Sequence, residues 1–210
     1  EAFINMLVFL GWNPGTAQEI FSLQELVQAF SFERVNKSGA RYNFQKMLWF
    51  NQQYLRSMDN EQLAQMISPL MNKKHMNFEQ NYLLRAIGII KERITFPQDI
   101  LNEGEYLFSQ PQIYDEKTVN KKWKLESVDH LKALRREIEC LDDFSAESLE
   151  QVFQNYLQYN NIGFGKVMPV LRVSVTGRGV GPSMFLIMEL LGLEEVLQRI
   201  DNSFKNLGNG

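Results

Sequence analysis

A single cysteine, Cys140, stands among 210 residues, which excludes an intramolecular disulfide framework and fits a reducing compartment. It follows an apolar helical pattern near a helix end, so the expectation is a buried, inert thiol. Histidine is nearly as scarce. His75 and His130 stand alone, with no metal-ligand spacing around them, and read as solvated or packed side chains. Six prolines and thirteen glycines are too few for a linker-rich or disordered chain. No apolar run approaches the roughly 20 residues that a membrane-spanning helix needs. The stretch 3–12 is broken by Asn5 and stops at Gly11, as a helix of a soluble core does. Paired catalytic groups and a His/Cys/Asp/Glu cluster are both missing, which counts against an intact small enzyme.

What is present is an ordinary globular composition, 44% hydrophobic and 22% charged, with length enough for one large domain or two to three small ones. The chain opens at Glu1, inside an apolar helical pattern and without a methionine, as a piece of a longer protein would. Helical periodicity dominates. Ser22 and Glu25 form a capping box ahead of Leu23, Leu26, Val27 and Phe30; Asp59 with Gln62 and Asn77 with Gln80 repeat the device. Asn43 caps a segment carrying Phe44, Met47, Leu48 and Leu55, and later helices run from Ser127 and Ser145. Gly192 separates two final helices over 183–191 and 193–204. Pro69 marks strain or an approaching helix end, and the valine-rich stretch 170–175 is compatible with helix or strand. Gly177 to Pro182 reads as a turn between helices, since it has no preceding strand and Pro182 has no amide to offer a phosphate. Soft boundaries fall at 57–60 and 109–122. The fold class is all-α.

The net charge of −3 gives no bulk sign of a polyanionic partner, but charge is unevenly spread. Between Arg34 and Met58 there is no acid, while Arg34, Lys37, Arg41, Lys46 and Arg56 are interleaved with Tyr42, Phe44, Trp49, Phe50 and Tyr54. Between Gln151 and Met188 there is again no acid, and the charges are Lys166, Arg172 and Arg178. Acid-free basic windows suit a phosphate backbone, and aromatic faces suit unpaired bases. A solvated basic face over an aromatic core gives the same pattern, so composition leaves open a helical protein-interaction module without RNA binding.

Three segments carry more. They are Leu7-Val8-Phe9-Leu10-Gly11-Trp12 with Glu19-Ile20-Phe21-Ser22-Leu23-Gln24-Glu25-Leu26; Phe32-Glu33-Arg34-Val35-Asn36-Lys37-Ser38-Gly39-Ala40 with Phe44-Gln45-Lys46-Met47-Leu48-Trp49-Phe50-Asn51; and Leu171-Arg172-Val173-Ser174-Val175-Thr176-Gly177 with Gly181-Pro182 and Met188-Glu189-Leu190-Leu191-Gly192. In order and spacing they resemble the region that follows the catalytic domain of bacterial-type glutamyl-tRNA synthetases. The resemblance implies a helix at 170–175 and a multi-helix stem-contact region over 1–58. It also implies two helical anticodon-binding subdomains, a helix cage, over 59–115 and 116–210. It implies a cytoplasmic, monomeric protein whose partner is the tRNA for glutamate, with no DNA or membrane partner. Neither ATP-binding signature of that class I ligase family is present, so ATP and Mg would serve the parent enzyme and no cofactor this chain.

Residue by residue, the resemblance sets Arg93, in Lys91-Glu92-Arg93-Ile94-Thr95, against the third anticodon base. Cytosine offers acceptors O2 and N3 there, guanine two donors, and a guanidinium only donates. Arg172, Gly181, Pro182 and Met184 match positions lining the anticodon pocket, with glycine at 181 where some members carry a side-chain donor. Lys46, Trp49, Asn51 and Arg56 are the candidate tRNA stem contacts. No catalytic or metal-binding residue is assigned.

Overall fold

The spacing of apolar residues translates into helices throughout the computed structural model, which describes residues 1–36, 39 and 41–208. Among them are twelve α-helices and three short 3₁₀ turns, and the only β feature is an isolated antiparallel bridge between Trp12 and Val35. Lys37, Ser38 and Ala40, part of the basic window and of the second resemblance segment, lie outside the described residues. The chain divides into two compact units, Glu1–Glu103 and Gly104–Gly210.

The first unit holds α1 (Ala2–Gly11), α2 (Leu23–Ala29), α3 (Phe44–Ser57), α4 (Asn60–Lys73), α5 (Gln80–Ile90) and α6 (Asp99–Asn102). Asn5, the residue that interrupts the apolar run of α1, is fully buried and acts as a hub. Its amide donates to the Glu19 carbonyl at 3.0 Å, and its oxygen accepts from the Phe21 amide and the Tyr54 hydroxyl, each at 2.8 Å. Those bonds tie segment 19–21 and α3 to α1, and burial raises the Tyr54 hydroxyl above its ordinary pKa. Around the hub Ala2, Met6 and Phe50 form one apolar cluster and Trp12, Phe21 and Leu26 another. The outer side of α1 leaves Phe3, Ile4 and Leu7 exposed.

The second unit holds α7 (Glu116–Lys122), α8 (Leu125–Glu139), α9 (Ala146–Tyr159), α10 (Phe164–Thr176), α11 (Met184–Leu191) and α12 (Leu193–Leu207). The valine-rich stretch is helical, inside α10, with Val167, Val170, Leu171, Val173 and Val175 fully buried. Helices α7, α8 and α12 pack around it. Burial on every side explains why this helix has β-branched residues and no alternation of polar ones. α10 ends on Gly177, whose φ of 69° is left-handed and whose Cβ, if present, would stand 2.5 Å from the Ile113 carbonyl oxygen. Only glycine fits there.

The caps at Ser22, Asn43, Asp59 and Ser145 form as the sequence indicates. Three expectations need correction. Asn77 does not cap: α5 starts at Gln80 with Glu79 as its N-cap residue, after His75 has turned the chain at φ 55°. Helix α8 begins at Leu125, so Ser127 lies in its first turn, buried. Cys140 is exposed, not buried.

At the start of α7 the Asp115 carboxylate accepts from the Thr118 amide at 2.8 Å. Bonds to the Thr118 hydroxyl and amide hold the carboxyl below its ordinary pKa, with smaller help from Lys117 and Arg178. A depressed folded pKa stabilises above the unfolded value and is lost as pH falls through the folded one. The melting temperature of the wild-type chain should therefore fall more steeply between about pH 5 and about pH 3 than that of Asp115→Asn, as circular dichroism would measure. Parallel slopes would show the cap to be insensitive to its charge.

Candidate nucleic-acid interface

In the first unit the chain leaves α5 through the 3₁₀ turn Lys91–Arg93. Two cationic side chains pin this turn to the end of α3. Arg56 donates from Nε and Nη2 to the Glu92 carbonyl at 3.2 and 2.7 Å and pairs with the Glu92 carboxylate at 3.2 Å. Lys91 donates to the Met58 carbonyl at 3.1 Å. Asn51 adds a bond to the Thr95 carbonyl just beyond the turn, and the Asp99 carboxylate accepts from the amides of Thr95 and Phe96 at 3.0 and 2.8 Å. Residues on both sides of Arg93 are thus held. Arg93 itself is exposed and makes no hydrogen bond or ion pair among the described residues.

The basic window of α3 is less basic in space than in sequence. Lys46 reaches Glu19 at 2.7 Å and lies over the rings of Phe9 and Phe50 at 5.8 and 5.7 Å. Arg34 donates to the Pro14 carbonyl. Arg56 is taken by Glu92, as above. Arg41 remains, exposed and without a hydrogen bond or ion pair among the described residues; with Lys46 it edges a small cleft floored by Met6 and Phe9. Trp49 is 37% exposed and packs edge-on against Phe50, so its ring is half core and half surface. Of the four stem-contact candidates, Lys46 and Trp49 face solvent, while Asn51 and Arg56 are engaged in holding segment 92–95.

In the second unit the four pocket candidates converge on the turn between α10 and α11. Arg172 donates from Nη2 to the Pro182 carbonyl at 2.9 Å. A Cβ on Gly181 would come within 2.8 Å of Arg172 Nη1 and 3.8 Å of the Tyr106 hydroxyl, so glycine is what lets the turn close on that guanidinium. Met184 is 2% exposed, and its side chain belongs to the core. Its backbone amide lies in the first turn of α11, where no helix carbonyl can satisfy it, but it shares that burial. Exposed side chains on this turn are Arg178, Val180 and Ser183. Lys166, the other cation of this acid-free window, pairs with Glu126 at 2.5 Å.

One residue the sequence did not single out organises this end of the unit. Arg199 on α12 is 2% exposed. Its guanidinium pairs with Glu195 at 2.7 Å and donates to the carbonyls of Tyr106, Val175 and Ser109 at 2.6, 2.9 and 3.1 Å. Its signal was present in its phase: Val196, Ile200 and Ser203 share its buried face. Among the described residues no group of three or more His, Cys, Asp or Glu is arranged to hold a metal, and no helix is long and apolar enough to cross a membrane.

Comparison with known proteins identifies the family. The chain is 38% identical over 207 residues to a glutamate–tRNA ligase of Christiangramia forsetii, covering 99% of this chain and 41% of that protein. It is 38% identical over 200 residues to one of Phocaeicola vulgatus, covering 95% and 40%. The crystal structure of a glutamate tRNA ligase from Elizabethkingia meningosepticum in complex with its amino acid superposes with a TM-score of 0.90 at 37% identity, over 99% of this chain and 41% of that one. This chain therefore spans about two fifths of the length of these relatives. The anticodon binding domain family matches residues 25–204, and with a wholly helical fold that superposes on such a ligase, the chain belongs to that family.

Proposed function

We propose that this chain is the tRNA-binding part of a glutamate–tRNA ligase. It grips the tRNA for glutamate and reads its anticodon, while a catalytic region in the rest of a longer protein attaches glutamate with ATP and Mg²⁺. The observation that carries the reading is Arg93, an unengaged guanidinium on a turn fixed from both sides, in a chain of the anticodon-binding family. A fixed, all-donor group suits the acceptor edge of cytosine and opposes the donor edge of guanine. ATP and Mg²⁺ serve that catalytic region, and the residues of this chain act on the RNA alone.

The division of labour follows the sequence. Residues 1–58 contact the stem through Lys46, Trp49 and Arg41, while residues 59–115 and 116–210 face the anticodon. Arg56 and Asn51 act by positioning Arg93. In the last region Arg172 sets the backbone of Gly181 and Pro182, and base contacts come from that backbone. Phosphate contacts position the RNA and base edges specify it. The protein acts as a cytoplasmic monomer on RNA, not DNA.

Titration of this chain with glutamate tRNA over a range of salt tests the reading. Affinity should fall steeply with salt, and Arg41→Ala should flatten the log–log slope by about 1. Lys46→Ala should flatten it less, because Glu19 already offsets that charge. Absence of salt-dependent binding would favour a protein-interaction module instead.

A further inference from the structure

The second unit contains a cleft of about 600 Å³ that none of the assigned anticodon residues lines. One wall is segment 105–116; the other is the Thr176–Arg178 end of α10. The walls are joined where the Asp115 amide donates to the Gly177 carbonyl at 2.8 Å, and where Gly177 and Gly179 leave no room for a Cβ against Ile113 and Thr118. Arg199 joins them again from below, donating to Tyr106 and Ser109 on one side and Val175 on the other. The cleft is thus braced at two points and falls within the ~300–1,000 Å³ of ordinary ligand pockets.

Its chemistry narrows the occupant. Glu105, Asp115 and Glu116 face it against a single cation, Arg178. A phosphate inside would meet three carboxylates. An uncharged planar group with an amino edge would find acceptors, and the rings of Tyr106 and Tyr114 add apolar area. Tyr106, whose buried hydroxyl would stand 3.8 Å from a Cβ on Gly181, sets the cleft beside the turn that carries Gly181 and Pro182. We propose that this cleft receives one unpaired nucleobase bearing an exocyclic amino group, next along the loop from the base at Gly181, with Arg178 at the rim meeting its phosphate. The subsite rests on the anticodon-binding role of the chain, and Arg199 is its positioning residue.

The test is a coupling measurement on the chain as it stands, using the anticodon stem-loop of glutamate tRNA and copies with each loop nucleotide made abasic in turn. Tyr114→Ala should weaken the intact stem-loop about tenfold, as loss of an aromatic contact to a base does. It should cost nothing further with one particular abasic RNA, and Tyr114→Phe should restore binding. Glu116→Gln should weaken only RNAs that keep the amino group of that same base. This surface variant leaves the cleft readable if Tyr114→Ala does not fold. Equal losses on every abasic RNA, a coupled base without an amine, or uniform tightening by Glu116→Gln would overturn the subsite while leaving anticodon binding intact. Failure of the wild-type chain to bind any stem-loop would instead overturn the function on which it rests.

Discussion

Replacing Arg93 with glutamine should lower the preference of this chain for cytosine over guanine at the third anticodon base by about tenfold, on the ~1–3 kcal/mol scale of a good bidentate base contact. The chain makes no use of that side chain for itself: it is exposed and bonds to no other described residue. Stability should therefore move by no more than ~0.5 kcal/mol, as for other surface changes. Glutamine presents one donor group and one acceptor, so it meets either base, where a guanidinium meets only acceptors. Arg93→Lys separates charge from shape. It should keep most of the affinity, since the phosphate attraction survives, and lose part of the discrimination, since an ammonium has no planar fork. The measurement is a pair of titrations with stem-loops differing only at the third base. A ratio unchanged in Arg93→Gln would remove Arg93 from base reading. The anchoring of its turn gives a second handle. Arg56→Met frees Glu92, so it should lower discrimination while leaving Arg93 in place, and should add little once Arg93 is already glutamine.

How legible such features are in the sequence depends on how local their causes are. Capping boxes at Ser22 and Asp59 close within one helical turn, and they form as the sequence indicates. Asn77-x-x-Gln80 has the same letters but fails because the end of α4 decides the geometry. His75 turns left-handed, the Met76 amide returns to the Met71 carbonyl at 3.0 Å, and the first bond of α5 then starts from the Glu79 carbonyl. Cys140 was misplaced by phase. The buried stripe of α8 is Val128, Leu131, Leu134 and Ile138, and two residues past Ile138 is the far side of the helix. The helix over 170–175 came from resemblance, because a helix buried all round shows no periodicity to read. Charge was the least legible property. Lys46, Arg56 and Lys166 sit in acid-free windows, yet meet Glu19, Glu92 and Glu126, which are 27, 36 and 40 positions away. Local sequence reports which charges are neighbours along the chain, and folding decides which are neighbours in space. Arg93 escaped that neutralisation, which is why it stands out in the structure as it did in the resemblance.

Arg199→Met should be among the most destabilising single changes in the second unit, with an expected loss of about 3–5 kcal/mol, the range for removing one partner of a buried charged network. The side chain is 2% exposed, and four of its bonds end on three separate segments: Tyr106 and Ser109 in segment 105–116, the last turn of α10 at Val175, and Glu195 on its own helix. Methionine fills similar volume but donates nothing, so three carbonyls lose their partner together, each at roughly 1–3 kcal/mol if left dry. Glu195 contributes less to the loss, since 31% of its side chain remains in solvent. Arg199→Lys keeps the charge beside Glu195, yet a compact ammonium cannot fork toward Tyr106, Val175 and Ser109 at once, so it should recover only part of the deficit. Urea unfolding of the three proteins followed by circular dichroism gives the ordering wild type, lysine, methionine. Hydrogen exchange should place the opened amides in segment 105–116 and at the end of α10, ahead of those in the centre of α8. A loss below about 1 kcal/mol for methionine would mean that water replaces the guanidinium at all three carbonyls. The buried arginine would then be a convenience of packing, with no part in holding the two walls of the cleft together.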